Sequence, residues 1–343
     1  MPQRFVERHN PAADLAVCRA ILASGSRTFL AASRFLPRRV GEPAAALYAF
    51  CRIADDQIDV HGGRRPALQH LRERLDLAYA GRPLAQPLDR ALATVIDQFG
   101  IPRVLPEALL EGLEWDAAKR RYDDLADLHA YAARVAGSVG AMMARLMGTR
   151  DPAVIACACD LGAAMQFSTI ARDVGEDARA GQIYLPLRWL QEAGIEPDRW
   201  LLAPVASDAL VSVIHRLLRV ADGLYRRADA GIAKLPLDCR PGIYAARLLY
   251  AEIGREVERL GQDALSRRAF VPAWRKWLLL AQALGRTLPP QSPLPAPVAG
   301  AAQFLIEAAA APALPTIRLA SSGATAVAWW NLSERMVRVL ELF

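Results

Sequence analysis

The sequence predicts an all-α protein. Apolar residues recur with a 3.6-residue period along nearly the whole chain. No alternating run long enough to read as a strand appears. Turns fall at proline and glycine punctuation such as "HGGRRP", "FGIP" and "GQIYLP".

Taken in order, "NPAADLAVCRAILASGS" opens the first helix, with Asn10 as N-cap and Pro11 at the first helical position. Residues 42–60, 66–80, 87–99, 106–117, 124–147 and 152–178 each carry the helical period, and further helices are expected over 206–234, 240–265 and 272–285. The first unit therefore spans 1–286. Beyond it "TLPPQSPLPAPVAG" cannot continue a helix, so 287–343 read as a proline-rich connector and a C-terminal helical extension. In the last stretch Asn331 and Glu334 resemble a capping box, and Leu332, Met336, Val339, Leu340 and Phe343 share one face. That helix either folds back on the core or, beside Trp329 and Trp330, docks on a membrane surface or a partner.

Composition narrows the function. The 343 residues are 53% hydrophobic, enough for a sizeable core. The net charge of +6 comes almost entirely from scattered arginines, the lysines being Lys119, Lys234 and Lys276. No cationic block or aromatic-interleaved patch exists, so nucleic acid is not the expected partner. Five cysteines without CxxC spacing argue for reduced, intracellular thiols. No signal peptide and no run of about 18 uninterrupted apolar residues is visible. The expected location is cytoplasmic, and membrane contact, if any, is peripheral, at the inner membrane. No GxGxxG follows a strand, so no nicotinamide site is expected.

The chemistry concentrates in two stripes. In "YAFCRIADDQIDV", Tyr48, Arg52, Asp55 and Asp59 fall at i, i+4, i+7 and i+11, one narrow line on a helix. In "QFSTIARDVGEDARAGQIYLP", Gln166, Thr169, Asp173 and Asp177 fall at i, i+3, i+7 and i+11, with Arg172 and Glu176 beside them. Solvated faces mix signs at i, i+4, because like-charge pairs there destabilise a helix. Neither DxxxD does. Facing carboxylates about 4 Å apart would repel by roughly 4 kcal/mol at an effective dielectric near 20, so they stay ionised only around cations. Hard oxygen ligands select Mg²⁺ or Mn²⁺, which complete their shells with substrate phosphate. Arg52 and Arg172 offer forks for phosphate oxygens. The expected site takes a diphosphate and helps it leave.

At these residues the chain resembles the squalene/phytoene synthase family, the head-to-head prenyl-joining enzymes. "ALYAFCRIADDQID" and "IARDVGEDARAGQIYLP" are similar to its two signatures, and "YAARVAGSVGAMMARLMG", "CRPGIYAARLLYAEIG" and "SRTFLAASRFLP" extend the likeness over roughly residues 15–285. It runs strongest to the members from carotenoid-making proteobacteria. The resemblance implies a single isoprenoid-synthase-type helical domain around a central cavity. It implies Mg²⁺ on Asp55 and Asp59 from one wall and on Asp173 and Asp177 from the other. Arg52, Ser26 and Arg172 would contact diphosphate, and Tyr48, Gln166, Tyr184, Tyr250 and Arg268 would line the reaction centre or close over it. Thr169 stands where the family usually has asparagine, commonly a metal ligand; its hydroxyl is a shorter, weaker donor.

The implied substrates are two geranylgeranyl diphosphates, joined through a cyclopropylcarbinyl diphosphate to phytoene, a committed step of carotenoid biosynthesis, with no NADPH. The rivals are a C15 user making dehydrosqualene or squalene, and a non-catalytic assembly factor, which should have lost the aspartates kept here. The small-residue face Ala136, Gly137, Gly140, Ala141 and Ala144 reads equally as close helix packing or as room for a prenyl tail, whereas Trp115 and Phe167 read as core.

Overall fold

The computed structural model describes residues 10–60, 64–286, 294 and 300–312. Its helices in chain order are α1 (Pro11–Gly25), α2 (Arg27–Ser33), α3 (Arg38–Val60), α4 (Arg64–Tyr79), α5 (Pro87–Phe99) and α6 (Val104–Ala117). Then come α7 (Leu125–Ala132), a π turn (Ala133–Gly137), α8 (Ser138–Leu146), α9 (Pro152–Arg179), α10 (Leu187–Glu192) and α11 (Pro197–Leu202). Last are α12 (Asp208–Ile232), α13 (Arg240–Leu260), a 3₁₀ turn (Gly261–Leu265), α14 (Ala273–Gly285) and α15 (Gln303–Ala310). No strand occurs among the described residues.

Local signals set the helix starts. Asn10 accepts from the Ala12 N–H at 3.1 Å ahead of Pro11, as the sequence predicts. Asp151 does the same for α9, again followed by proline. The stretch expected as one helix over 124–147 is α7, the π turn and α8 run together. The Ser138 N–H reaches back five residues to the Ala133 carbonyl, so the chain stays helical while gaining a residue in the turn.

α9 is the axle of the bundle, packed by α12, α8, α13, the π turn and α15. It is long and apolar enough to cross a membrane, yet most of that length is buried inside the protein. Its first half joins a core cluster with α1, α3–α6, α8, α14 and α15; its second half joins another with α7 and α10–α12. The small-residue face serves packing. A Cβ on Gly140 would stand 2.2 Å from the Ala158 carbonyl oxygen, and one on Gly162 would stand 2.3 Å from that of Ala136. Backbones approach so closely only where no side chain intervenes. Phe167 is fully buried, as expected of core. Trp115 is half-buried, with the guanidinium of Arg120 3.8 Å and that of Arg134 4.4 Å from its ring centre.

Buried polar groups lock the neighbours. The Ser168 and Tyr225 hydroxyls meet at 3.0 Å across α9 and α12. Glu252 on α13, wholly buried, accepts from Arg275 on α14 at 2.9 Å and from Arg255 and Arg259. Burial opposes its charge, but these three donors outweigh it and hold the carboxyl below its ordinary value. Beyond the first unit, α15 lies on the bundle: Leu305 is fully buried, and Arg145 donates to the Ala309 and Ala311 carbonyls at 3.0 and 2.9 Å and to Gly100 at 2.5 Å. Those are the unfilled carbonyls of two helix C-termini, where a guanidinium is favoured. The expected helix around Asn331–Phe343 lies outside the described residues.

Candidate active site

The helical period of α9 leaves a narrow polar strip. Phe167, Ile170, Ala171, Val174 and Ala178 turn into the core, and Gln166, Thr169, Arg172, Asp173 and Asp177 remain half-buried on the other side. The 3₁₀ turn presses against this strip: a Cβ on Gly175 would fall 1.9 Å from the Leu265 carbonyl oxygen. That contact delivers Arg268 to the acids. Its Nε is 3.2 Å from Asp173 Oδ1 and its Nη1 3.6 Å from Glu176 Oε2. Arg172 folds back on its sequence neighbour and grips Asp173 through two hydrogen bonds of 2.7 and 2.6 Å. Asp173 is not a bare carboxylate but shares two guanidiniums, because neighbouring long side chains on a helix can fold together where burial favours pairing.

Asp177 has no such fork. Burial first, then the charges of Asp173, Asp116 and Glu176, push its carboxyl up to about 7. Asp116 is the residue that sequence reading missed. It accepts from the Tyr184 hydroxyl at 2.7 Å and from the Tyr131 hydroxyl at 2.8 Å. Tyr122 joins this aromatic group, 5.2 Å from the Tyr131 ring and 6.2 Å from that of Tyr184. Two turns position the cluster. Lys119, in the left-handed region at φ 49°, donates to the Ala180 carbonyl at 2.6 Å, and Gln182 donates to the Arg120 carbonyl at 3.1 Å. The ends of α6 and α9 are thereby tied together, which sets Asp116 beside Asp177. A signal existed: Asp116 lies in the last turn of α6, where the helix dipole disfavours a carboxylate.

The third group comes from the N-terminal helices. Ser26 caps α2, accepting from the Phe29 N–H at 3.1 Å, and its side chain also hydrogen-bonds Tyr250 on α13. Half-buried Tyr250 has its phenol pushed up by desolvation, a shift that the nearby Arg172 guanidinium opposes. Tyr48 stacks on Phe29 at 5.4 Å, and its hydroxyl lies 2.4 Å from where a Gly25 Cβ would be. A continuous path therefore runs from Tyr48 on α3 through Gly25 and Ser26 to Tyr250, then to Arg172 and Asp173 on α9. Arg52 is exposed one turn beyond Tyr48. Asp55 and Asp59 occupy the last turns of α3, but their side chains lie outside the described residues.

The described donors are all oxygen, crowded and partly buried, which suits a hard divalent cation. Among the described residues no three His, Cys, Asp or Glu side chains already converge into a ligand shell. The cysteines take no part: all five are free, and Cys18, Cys157, Cys159 and Cys239 are buried.

This fold has solved counterparts. A crystal structure of a dehydrosqualene synthase in complex with ligand superposes with a TM-score of 0.73 and 32% identity, covering 80% of this chain and 96% of that one. The architecture is that of the isoprenoid synthases, whose members typically pair a divalent metal with diphosphate substrates. The squalene/phytoene synthase profile matches residues 22–275. The phytoene synthase of Cereibacter sphaeroides is 54% identical over 281 residues, spanning 78% of this chain and 79% of the relative. That of Rhodobacter capsulatus is 52% identical over 286 residues, spanning 82% and 84%. The chain belongs to the squalene/phytoene synthase family.

Proposed function

We propose that the chain is a prenyltransferase that joins two geranylgeranyl diphosphates head to head into phytoene, opening carotenoid biosynthesis. The reaction class rests on one observation: Asp116, Asp173, Glu176 and Asp177 crowd one end of α9 together with Arg172 and Arg268. So dense a group of acids, threaded with guanidiniums, suits a cation-bridged diphosphate. The C20 substrate rests on the two phytoene synthases above.

Asp173 and Asp177 with the Thr169 hydroxyl, together with Asp55 and Asp59, would hold Mg²⁺, or Mn²⁺ in its place. Bound there, it would supply positive charge against the departing diphosphate. Arg172, Arg268 and Arg52 bind the diphosphate oxygens, and Ser26 adds a hydroxyl. The first substrate ionises to an allylic cation and diphosphate. The double bond of the second attacks it, and a proton is lost as the cyclopropylcarbinyl diphosphate forms. A second ionisation, rearrangement and proton loss release phytoene and the second diphosphate. Tyr48, Tyr250 and Gln166 line the cation's path, and aromatic faces there stabilise it while water is excluded. Tyr131 and Tyr184, both held by Asp116, fix the wall beside Asp177. The enzyme works in the cytoplasm, at the edge of the inner membrane.

The dehydrosqualene synthase match favours a second reading, in which two C15 substrates are used. Purified full-length protein with Mg²⁺ is therefore offered geranylgeranyl or farnesyl diphosphate, with and without NADPH, and the products are separated by chromatography. Phytoene from the C20 substrate without NADPH is expected. Turnover of the C15 substrate alone would transfer the assignment to the second reading, and none with either would reject both.

A further inference from the structure

The solvent side of α14 carries no charge. Its exposed positions are Ala273, Trp274, Leu278, Ala281, Gln282 and Gly285, and Phe270 stands one turn before Trp274. Trp274 and Leu278 share one face of α14 at i and i+4, Phe270 stands in the non-helical chain just before the helix, and they are 67%, 52% and 69% exposed respectively. Single exposed apolar residues are ordinary, but three large ones gathered on and just before one uncharged helix face are not. The opposite side of α14 is already committed: Leu279, Leu280 and Ala283 are buried and Arg275 is held by Glu252. The stripe cannot roll inward.

The sequence on either side of it is cationic. From Ala264 through Ile306 the sequence holds no aspartate or glutamate, but it holds Arg267, Arg268, Arg275, Lys276 and Arg286. Arg267 is exposed, and the Lys276 ammonium lies 4.6 Å from the Phe270 ring centre. Tryptophan and phenylalanine beside arginine and lysine make up the side-chain set of a bilayer interface, where rings sit at headgroup depth and cations reach lipid phosphates. The stripe also begins two residues after Arg268, which touches Asp173.

We propose that α14 is a membrane-docking face, seating Phe270, Trp274 and Leu278 in an anionic leaflet with the diphosphate end of the active site at the lipid edge. The proposal draws part of its sense from the prenyl-joining reading: substrate tails and a C40 hydrocarbon product both partition into bilayers, so docking would shorten their path.

The full-length protein is sedimented with vesicles of phosphatidylcholine alone or mixed with phosphatidylglycerol, with no substrate present. Wild type is expected on the anionic vesicles, less so as salt approaches about 1 M, where the Debye length shrinks to about 3 Å. The combined Phe270→Ser, Trp274→Ser, Leu278→Ser variant should lose at least about tenfold in partitioning. Its helical circular dichroism, and its turnover of detergent-dispersed substrate, should match wild type. The conservative Arg267→Lys should bind like wild type, whereas Arg267→Glu should bind more weakly. Wild type that ignores vesicles, or a triple variant that binds equally well, would overturn the proposal. So would a wild-type dimer that the triple variant converts to monomer without any vesicle binding, which would give the face to a second copy. Because binding is read without substrate, failure of the substrate assignment and failure of docking are separate results.

Discussion

Asp173 is held by Arg172 and Arg268 together. Replacing it with alanine removes a proposed metal ligand and unpairs a half-buried guanidinium. Asp173→Ala should lower turnover by at least about a hundredfold and cost about 1–3 kcal/mol of stability, with far-ultraviolet circular dichroism unchanged. Asp55→Ala should give the same loss of turnover, read by product formation; full activity in either variant would defeat the metal reading. Thr169→Asn restores the longer oxygen donor usual in the family, so apparent Mg²⁺ affinity, measured by titrating turnover against metal, should hold or improve. At this scale the sequence was legible wherever chemistry repeats with a helical period, which is why the α9 strip emerged from spacing alone. Asp116 was not, because its partners Tyr131 and Tyr184 reach it from other elements and no spacing within α6 encodes them.

Helices in this bundle meet through their smallest residues. Gly162 and Gly223 both sit inside long helices, and alanine should gain about 0.5–1 kcal/mol at either on propensity alone. At Gly162 the added methyl would strike the Ala136 carbonyl, a backbone atom that cannot swing aside, and overpacking typically costs about 1–3 kcal/mol. At Gly223 the nearest foreign atom is the tip of the Arg226 side chain at 3.9 Å. Gly162→Ala should therefore lower the thermal midpoint and Gly223→Ala raise it, by a few degrees at most, in a calorimetric comparison. The sequence showed a small-residue face without saying what lay against it. Packing and pocket lining need the same residues, and only the Ala158 and Ala136 carbonyls decide between them.

Across the whole molecule, most of the long helices were readable because many helix starts carry a cap or proline, as at Asn10, Pro87 and Asp151, whereas the short α2, α10 and α11 and the way the helices cluster were not. Nothing in the run of residues 300–312 marks them for docking onto the bundle. Arg145 does, from far away, by filling the carbonyl ends of α5 and α15 together. Arg145→Met should strip α15 of that anchor, raising amide hydrogen exchange across Gln303–Ala310 by about tenfold or more while α9 amides stay protected. The π turn carries a different consequence. Its extra residue offsets α8 from α7 by about 100° relative to an unbroken helix, and that offset is what presents Gly140 to Ala158. The facing of α8 is thus set by arithmetic rather than by affinity. A chain one residue shorter anywhere from Leu125 to Gly137 would keep every side chain's character yet turn the wrong edge inward, so this segment should tolerate substitution far better than any change of length.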